Sequence, residues 1–281
     1  VPVSAAFSHR SKAIFCAVFQ SKLMISPLVI IPARLASTRL PGKPLAEIAG
    51  RAMILRVLDV ALAADVGPVA VAAADQAIYD VVTQAGGRAV LTDPGLPSGS
   101  DRAWQAAQVL DPDGAHDVII NLQGDLPTLS PDALRAVMRV MPDPAYDIGT
   151  LIAPVLSEEE KQASSVVKVA CHFEADTLCA PALYFSRTPI PWGEGTLWHH
   201  IGIYGWRREA LKRFVSLPES GLERRENLEQ LRALEAGMRI GCARIEVAPF
   251  GVDTPADLER ARRHFQDEHF QGTHFQGTTQ A

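Results

Sequence analysis

The amino-acid sequence predicts an α/β protein, with a mostly parallel sheet flanked by helices and a smaller mixed-sheet lobe. Three observations lead there. Apolar runs at residues 28–31, which has no polar face, 68–73 and 118–122 have the composition of buried strands. Segments of helical periodicity separate them, as parallel strands require of their crossovers. After about residue 146 the runs shorten and begin to alternate, the pattern of antiparallel or mixed strands. At 281 residues, 47% hydrophobic and 21% charged, the chain suits one large globular domain, or one domain with an inserted lobe.

The elements follow in order. Residues 28–31 form a strand that breaks at Pro32 into a loop. A helix over 52–64 gathers Met53, Ile54, Val57, Leu58 and Ala61 on one side. A strand over 68–73 leads to a helix over 76–85, and a short strand over 89–91 to a helix over 101–110. Gln123-Gly124-Asp125 closes the strand 118–122. The next helix carries Leu134, Val137 and Met138, with Ser130 as its cap and Pro131 in its first turn. Runs at 148–154, 166–171 and 178–185 build the smaller lobe, about 146–222. A helix over 223–236, a strand over 240–247 and a helix over 255–264 capped by Thr254 complete the chain. No repeat or long linker divides the domain at 25–265. Residues 1–24 are expected to be a disordered extension, and 266–281, where His-Phe-Gln recurs, a low-complexity tail.

Chemistry concentrates in the loop after the first strand. Arg34, Arg39 and Lys43 leave the end of a buried strand, with Ser37 and Thr38 between them and Gly42 beside the lysine. Guanidinium forks match phosphate oxygens, an ammonium follows moving charge, and glycine lets backbone approach closely. The loop reads as a grip for a nucleoside triphosphate; a solvated basic loop is the plainer alternative. Asp125 and Asp253 each follow a strand, where open α/β sheets gather ligand groups. Two carboxylates opposite a triphosphate loop suit Mg²⁺, although each also suits a turn or helix cap.

The net charge is −5, which argues against nucleic acid as partner. Within residues 34–56 the fixed charges are nonetheless Arg34, Arg39, Lys43, Arg51 and Arg56 against Glu47 alone, a local field for a small anion. No apolar run reaches membrane-spanning length. Cys16, Cys171, Cys179 and Cys242 show no zinc spacing and read as reduced thiols of a cytoplasmic protein. No hydrolase elbow surrounds Ser98-Gly99-Ser100, and no Gly-x-Gly-x-x-Gly follows the first strand.

The segment Pro32-Ala33-Arg34 through Ser37-Thr38-Arg39-Leu40-Pro41-Gly42-Lys43-Pro44-Leu45 resembles the opening of the 3-deoxy-manno-octulosonate (Kdo) cytidylyltransferases. The likeness continues through Ser98-Gly99-Ser100-Asp101-Arg102, Asn121-Leu122-Gln123-Gly124-Asp125, Tyr184-Phe185-Ser186-Arg187, His200-Ile201-Gly202-Ile203-Tyr204-Gly205, Leu228-Glu229-Gln230 and Val252-Asp253-Thr254-Pro255. It implies a Rossmann-like nucleotidyltransferase fold and transfer of CMP from CTP to Kdo for lipopolysaccharide assembly, with Mg²⁺ as cofactor. It also implies roles. Arg34, Arg39 and Lys43 would be catalytic; Arg34, Ser37, Lys43, Ser98 and Gly99 would bind nucleotide; Asp125 and Asp253 would hold metal. Gln123, Arg187, His200, Tyr204, Glu226 and Gln230 would contact the sugar acid, Arg187 pairing with its carboxylate.

The chain departs from the family pattern at Leu126, where an acid usually follows the metal-binding aspartate, and at Arg224-Arg225 ahead of Glu226. The segment between Trp192 and His199 is also short. These departures leave open a different 2-keto-3-deoxy or modified octulosonic acid as substrate. A non-catalytic nucleotide-binding protein is the alternative from another class. Oligomeric state is not fixed by the sequence, with a homodimer among the options.

Overall fold

All seven residues of β1 (Pro27–Ala33) are buried, as a strand covered on both faces requires. The computed structural model describes residues 25–37, 39–174 and 177–275, so the extension expected over 1–24 lies outside it. A two-stranded ribbon, β2 (Glu47–Ile48) and β3 (Arg51–Ala52), leads into α1 (Met53–Ala64). Then come β4 (Val69–Ala73), α2 (Gln76–Gln84), β5 (Ala89–Leu91), α3 (Gly99–Leu110), β6 (Val118–Asn121) and α4 (Pro131–Val137). Ser130 caps α4 by accepting from the Ala133 amide at 3.1 Å. The second half comprises β7 (Ile148–Pro154), α5 (Glu158–Gln162), β8 (Lys168–Ala170), β9 (Cys179–Pro181), β10 (Tyr184–Ser186) and β11 (Trp198–Arg207). After it come α6 (Arg208–Val215), α7 (Gly221–Glu226), α8 (Gln230–Glu235), β12 (Ile240–Arg244) and α9 (Pro255–Phe275).

The strands form one ten-stranded sheet in the order β5-β4-β1-β6-β11-β7-β12-β9, with β8 and β10 branching from β11. β5, β4, β1 and β6 run parallel, as do β7 and β12, while β11 joins the two groups antiparallel to both neighbours. The strands of the expected smaller lobe therefore extend the main sheet. Alternate residues of β1 enter opposite cores: Val29 and Ile31 face α1 and α4, while Leu28 and Ile30 face α3 and α6.

Four local expectations change. β11 was not anticipated. The run 178–185 divides into β9 and β10, because the Ala182 amide bonds to Ile240 and the Leu183 amide to Ala170, on different strands. The helix expected over 223–236 breaks at Asn227, whose φ of 54° is left-handed. The final helix continues beyond His264 to Phe275, with Phe265 packed against the cluster of Ile48, Met53, Val252, Leu258 and Ala261.

Candidate active site

β1 and β6 are adjacent and parallel, so the chain leaves both at the same edge of the sheet. After β1 the basic loop is pinned twice. The Leu35 amide donates to Asp75 Oδ2 at 2.8 Å, and the Gly42 amide returns to the Leu35 carbonyl at 3.2 Å. Gly42 takes φ 70°, a left-handed turn that starts the short 3₁₀ segment Lys43–Leu45 and turns Lys43 inward. Thr38 lies outside the described residues. After β6, a Cβ on Gly124 would stand 3.0 Å from the Pro32 carbonyl, so glycine permits the two strand ends to meet.

Asp125 and Asp253 converge on one ammonium. Lys43 Nζ lies 2.9 Å from Asp125 Oδ2 and 2.9 Å from Asp253 Oδ1, and Arg39 Nη2 lies 3.2 Å from Asp253 Oδ2. The Val252 amide donates to the Asp125 carbonyl at 2.9 Å, which ties the two segments together. Burial pulls the Lys43 pKa down, but the two carboxylates outweigh it and hold the ammonium above its ordinary value. Asp253 is no helix cap: Thr254 and Asp257 exchange the capping bonds of α9, leaving the Asp253 carboxylate to the cations. The pair suits Mg²⁺, which takes one or two carboxylates and completes its shell with water and phosphate. Among the described residues no cluster of three or more His, Cys, Asp or Glu offers a fuller cage.

Opposite, Ser98 caps α3, accepting from the Ser100 and Asp101 amides at 3.1 and 3.2 Å. One turn on, Arg102 is 2% exposed yet lines the cleft. Its Nη1 bonds to Thr92 Oγ1 and to the Asp93 carbonyl, whereas its buried Nη2 has no partner. Burial and then the Arg34 guanidinium lower its pKa, the mark of a cation waiting for an anion. Arg102 closes the motif Ser98-Gly99-Ser100-Asp101-Arg102 and carries no sequence-based assignment; its place one turn into a helix opening on the cleft is the signal that marks it.

The cleft, about 760 Å³, brings together Arg34, Ser37, Arg39, Lys43, Ser98, Gly99, Gln123, Asp125 and Asp253. Of the expected sugar residues only Gln123 lines it. Arg187 donates to the carbonyls of Glu226, Ser164 and Asn227 at 2.8, 2.9 and 3.0 Å. Glu226 in turn accepts from Ser186 Oγ at 2.9 Å and the Arg187 amide at 3.1 Å. His200 is buried on Thr150 Oγ1 at 3.1 Å, its ring 5.5 Å from that of Tyr204. Burial lowers its pKa to about 3, so the imidazole is neutral. Tyr204 and Gln230 are buried too, and Gln230 Nε2 has no partner. Leu126 is 9% exposed and belongs to the core beside α1 and α4.

Residues 28–240 match the family model described as cytidylyltransferase. The chain is 59% identical over 237 residues to a 3-deoxy-manno-octulosonate cytidylyltransferase of Rhodospirillum centenum, covering 84% of this chain and 92% of that one. It is 60% identical over 236 residues to the enzyme of that name from Parvibaculum lavamentivorans, covering 84% and 91%. Among solved structures it resembles a CMP:2-keto-3-deoxy-manno-octonic acid synthetase complexed with CTP, with a TM-score of 0.80, 37% identity, and 86% and 99% of the two chains covered. A 4-diphosphocytidyl-2C-methyl-D-erythritol synthase from Anaerococcus prevotii, at 12% identity and a TM-score of 0.57, shares the fold.

Proposed function

The chain belongs to the 3-deoxy-manno-octulosonate cytidylyltransferases, and from that membership we infer that it transfers CMP from CTP to Kdo, releasing pyrophosphate. The observation that carries the reading is the cleft itself. A basic loop and two carboxylates, articulated by Lys43, meet where the parallel strands β1 and β6 end.

The anomeric hydroxyl of the sugar attacks the α-phosphorus in line; the bond from phosphorus to the bridging oxygen breaks, and pyrophosphate departs. We assign Arg34, Arg39 and Lys43 to the phosphates, where they hold the chain in line and neutralise charge that builds on the leaving group. Ser98 and Gly99 bring the start of α3 against the nucleotide, and Arg102 adds a guanidinium with one unpaired nitrogen, Nη2. Asp125 and Asp253 would hold Mg²⁺, which when bound offsets phosphate charge and makes the attacking hydroxyl more acidic. Gln123 meets the sugar acid first, with Arg187, His200, Tyr204, Glu226 and Gln230 shaping the wall behind it.

Lipopolysaccharide assembly follows as the destination of the product. Among the described residues no helix is long and apolar enough to cross a membrane, and dependence on CTP supports a cytoplasmic setting. A homodimer is the assembly we favour, because Trp192 is fully exposed close to Leu156 along one surface recess. Pyrophosphate release from purified protein with CTP, Mg²⁺ and a panel of sugar acids tests the reading. Kdo should be turned over best; preference for another 2-keto-3-deoxy acid would reassign the substrate.

A further inference from the structure

Behind Gln123 runs a chain of buried polar side chains. Gln123 Nε2 donates to Asn121 Oδ1 at 3.2 Å, Asn121 Nδ2 donates to Ser100 Oγ at 3.5 Å, and Ser100 Oγ donates to Glu229 Oε2 at 3.2 Å. Asn121 and Ser100 are 0% and 1% exposed, so water does not compete for their bonds. The far end decides the direction. A carboxylate only accepts, and a hydroxyl has one hydrogen. Once Ser100 gives that hydrogen to Glu229, its oxygen is left to accept from Asn121. The Asn121 amide must then turn its oxygen to Gln123, and Gln123 must give its NH₂ inward. The Gln123 carbonyl oxygen is left for the cleft, beside Gly99.

We propose that Glu229 is a positioning residue that sets the polarity of this chain, so that the cleft offers the sugar acid a carbonyl acceptor at Gln123. A hydroxyl of the sugar docks there by donating to that oxygen. Glu229 touches no cleft surface and acts through Ser100 and Asn121. Its second oxygen is buried with no hydrogen-bond partner, while Ser98 and the Arg232 charge also act on the carboxylate. The inference deepens the reading of the cleft as a sugar-acid transfer site and rests on it.

Glu229→Gln is the test, because the new amide is isosteric and its NH₂ donates to Ser100, which frees the chain to reverse. The KM for Kdo should rise about tenfold, while the KM for CTP stays within about twofold. Thermal midpoint and CTP affinity of the variant should match the parent, showing that the fold is intact. Ser100→Ala should raise the KM for Kdo similarly, and the double variant should be no worse than either single one. An unchanged KM for Kdo in Glu229→Gln, equal losses for both substrates, or losses that add would overturn the proposal. Parent enzyme turning over CTP and Kdo while Glu229→Gln matches it would refute the inference alone. Absence of turnover by the parent would overturn the cleft reading and this inference with it.

Discussion

Lys43 is 14% exposed and bonded to two carboxylates, so its removal does two things at once. It takes a cation from the phosphates and leaves Asp125 and Asp253 repelling each other. Lys43→Ala is predicted to lower kcat/KM for CTP by about 10²-fold or more, with the affinity for Kdo far less changed. Steady-state kinetics in each substrate measure this, and unchanged values for CTP would return the loop to a solvated surface. Asp125→Asn and Asp253→Asn should each lose about 10²-fold in turnover. Arg102 carries an unpaired buried Nη2, so Arg102→Lys should weaken CTP binding measurably, a lysine having no fork to replace it. Calorimetric titration with CTP reads that effect, and equal affinities would make Arg102 a packing residue.

His200 makes a prediction of another kind. Its pKa falls from 6.5 to about 3 on burial, so between those values the unfolded chain takes up a proton that the folded one refuses. Stability contributed by the neutral ring is complete above the unfolded value and falls as pH is lowered through the window, at about 1.4 kcal/mol per pH unit. His200→Gln keeps a polar atom for Thr150 and has no proton to accept. Urea unfolding at pH 6 and pH 5 should show the parent losing more stability than the variant across that step. Parallel losses would place the imidazole in contact with solvent. The same burial keeps the His200 imidazole neutral and out of acid–base chemistry.

At the scale of elements, β12 is the tightest fit. A Cβ on Gly241 would lie 2.5 Å from Val140 Cγ1 and 3.0 Å from the Tyr146 ring, whereas one on Gly202 in β11 would meet nothing within 4 Å. Gly241→Ala should therefore cost about 1–3 kcal/mol by overpacking, and Gly202→Ala much less. Denaturant midpoints of the two variants compare them directly. Equal midpoints would mean that Val140 and Tyr146, in the turns between α4 and β7, yield freely.

The same elements show what the sequence made legible. Strand 28–31 was readable because burial on both faces leaves no polar position, 118–122 because Asn121 alone interrupts its apolar run, and Asp125 and Asp253 because strand ends gather ligands. β11 was hidden: its register shifts between Ile201 and Tyr204, so the strand lacks a constant two-residue period. The break at Asn227 was hidden because asparagine tolerates a left-handed turn without announcing one as glycine does. Leu126 read as a departure beside a metal ligand, yet its side chain packs in the core. Arg187 and Glu226 read as ligands for sugar, and their bonds to each other's backbone were invisible without the fold.

At the scale of the molecule, two packed cores hold one sheet whose adjacent parallel strands β1 and β6 end at the phosphate loop and Asp125, with Asp253 brought to them from just before α9. Among the described residues no histidine or cysteine lines the cleft to activate Ser37 or Ser98, so it should move the nucleotidyl group to sugar and leave hydrolysis aside. The ³¹P NMR spectrum of one reaction containing the protein, CTP, Mg²⁺ and Kdo tests this most directly. A new phosphodiester resonance from CMP joined to the sugar should grow in equal amount with pyrophosphate and vanish when Asp125→Asn replaces the parent. Pyrophosphate accompanied by free CMP, or an unchanged CTP spectrum, would contradict it.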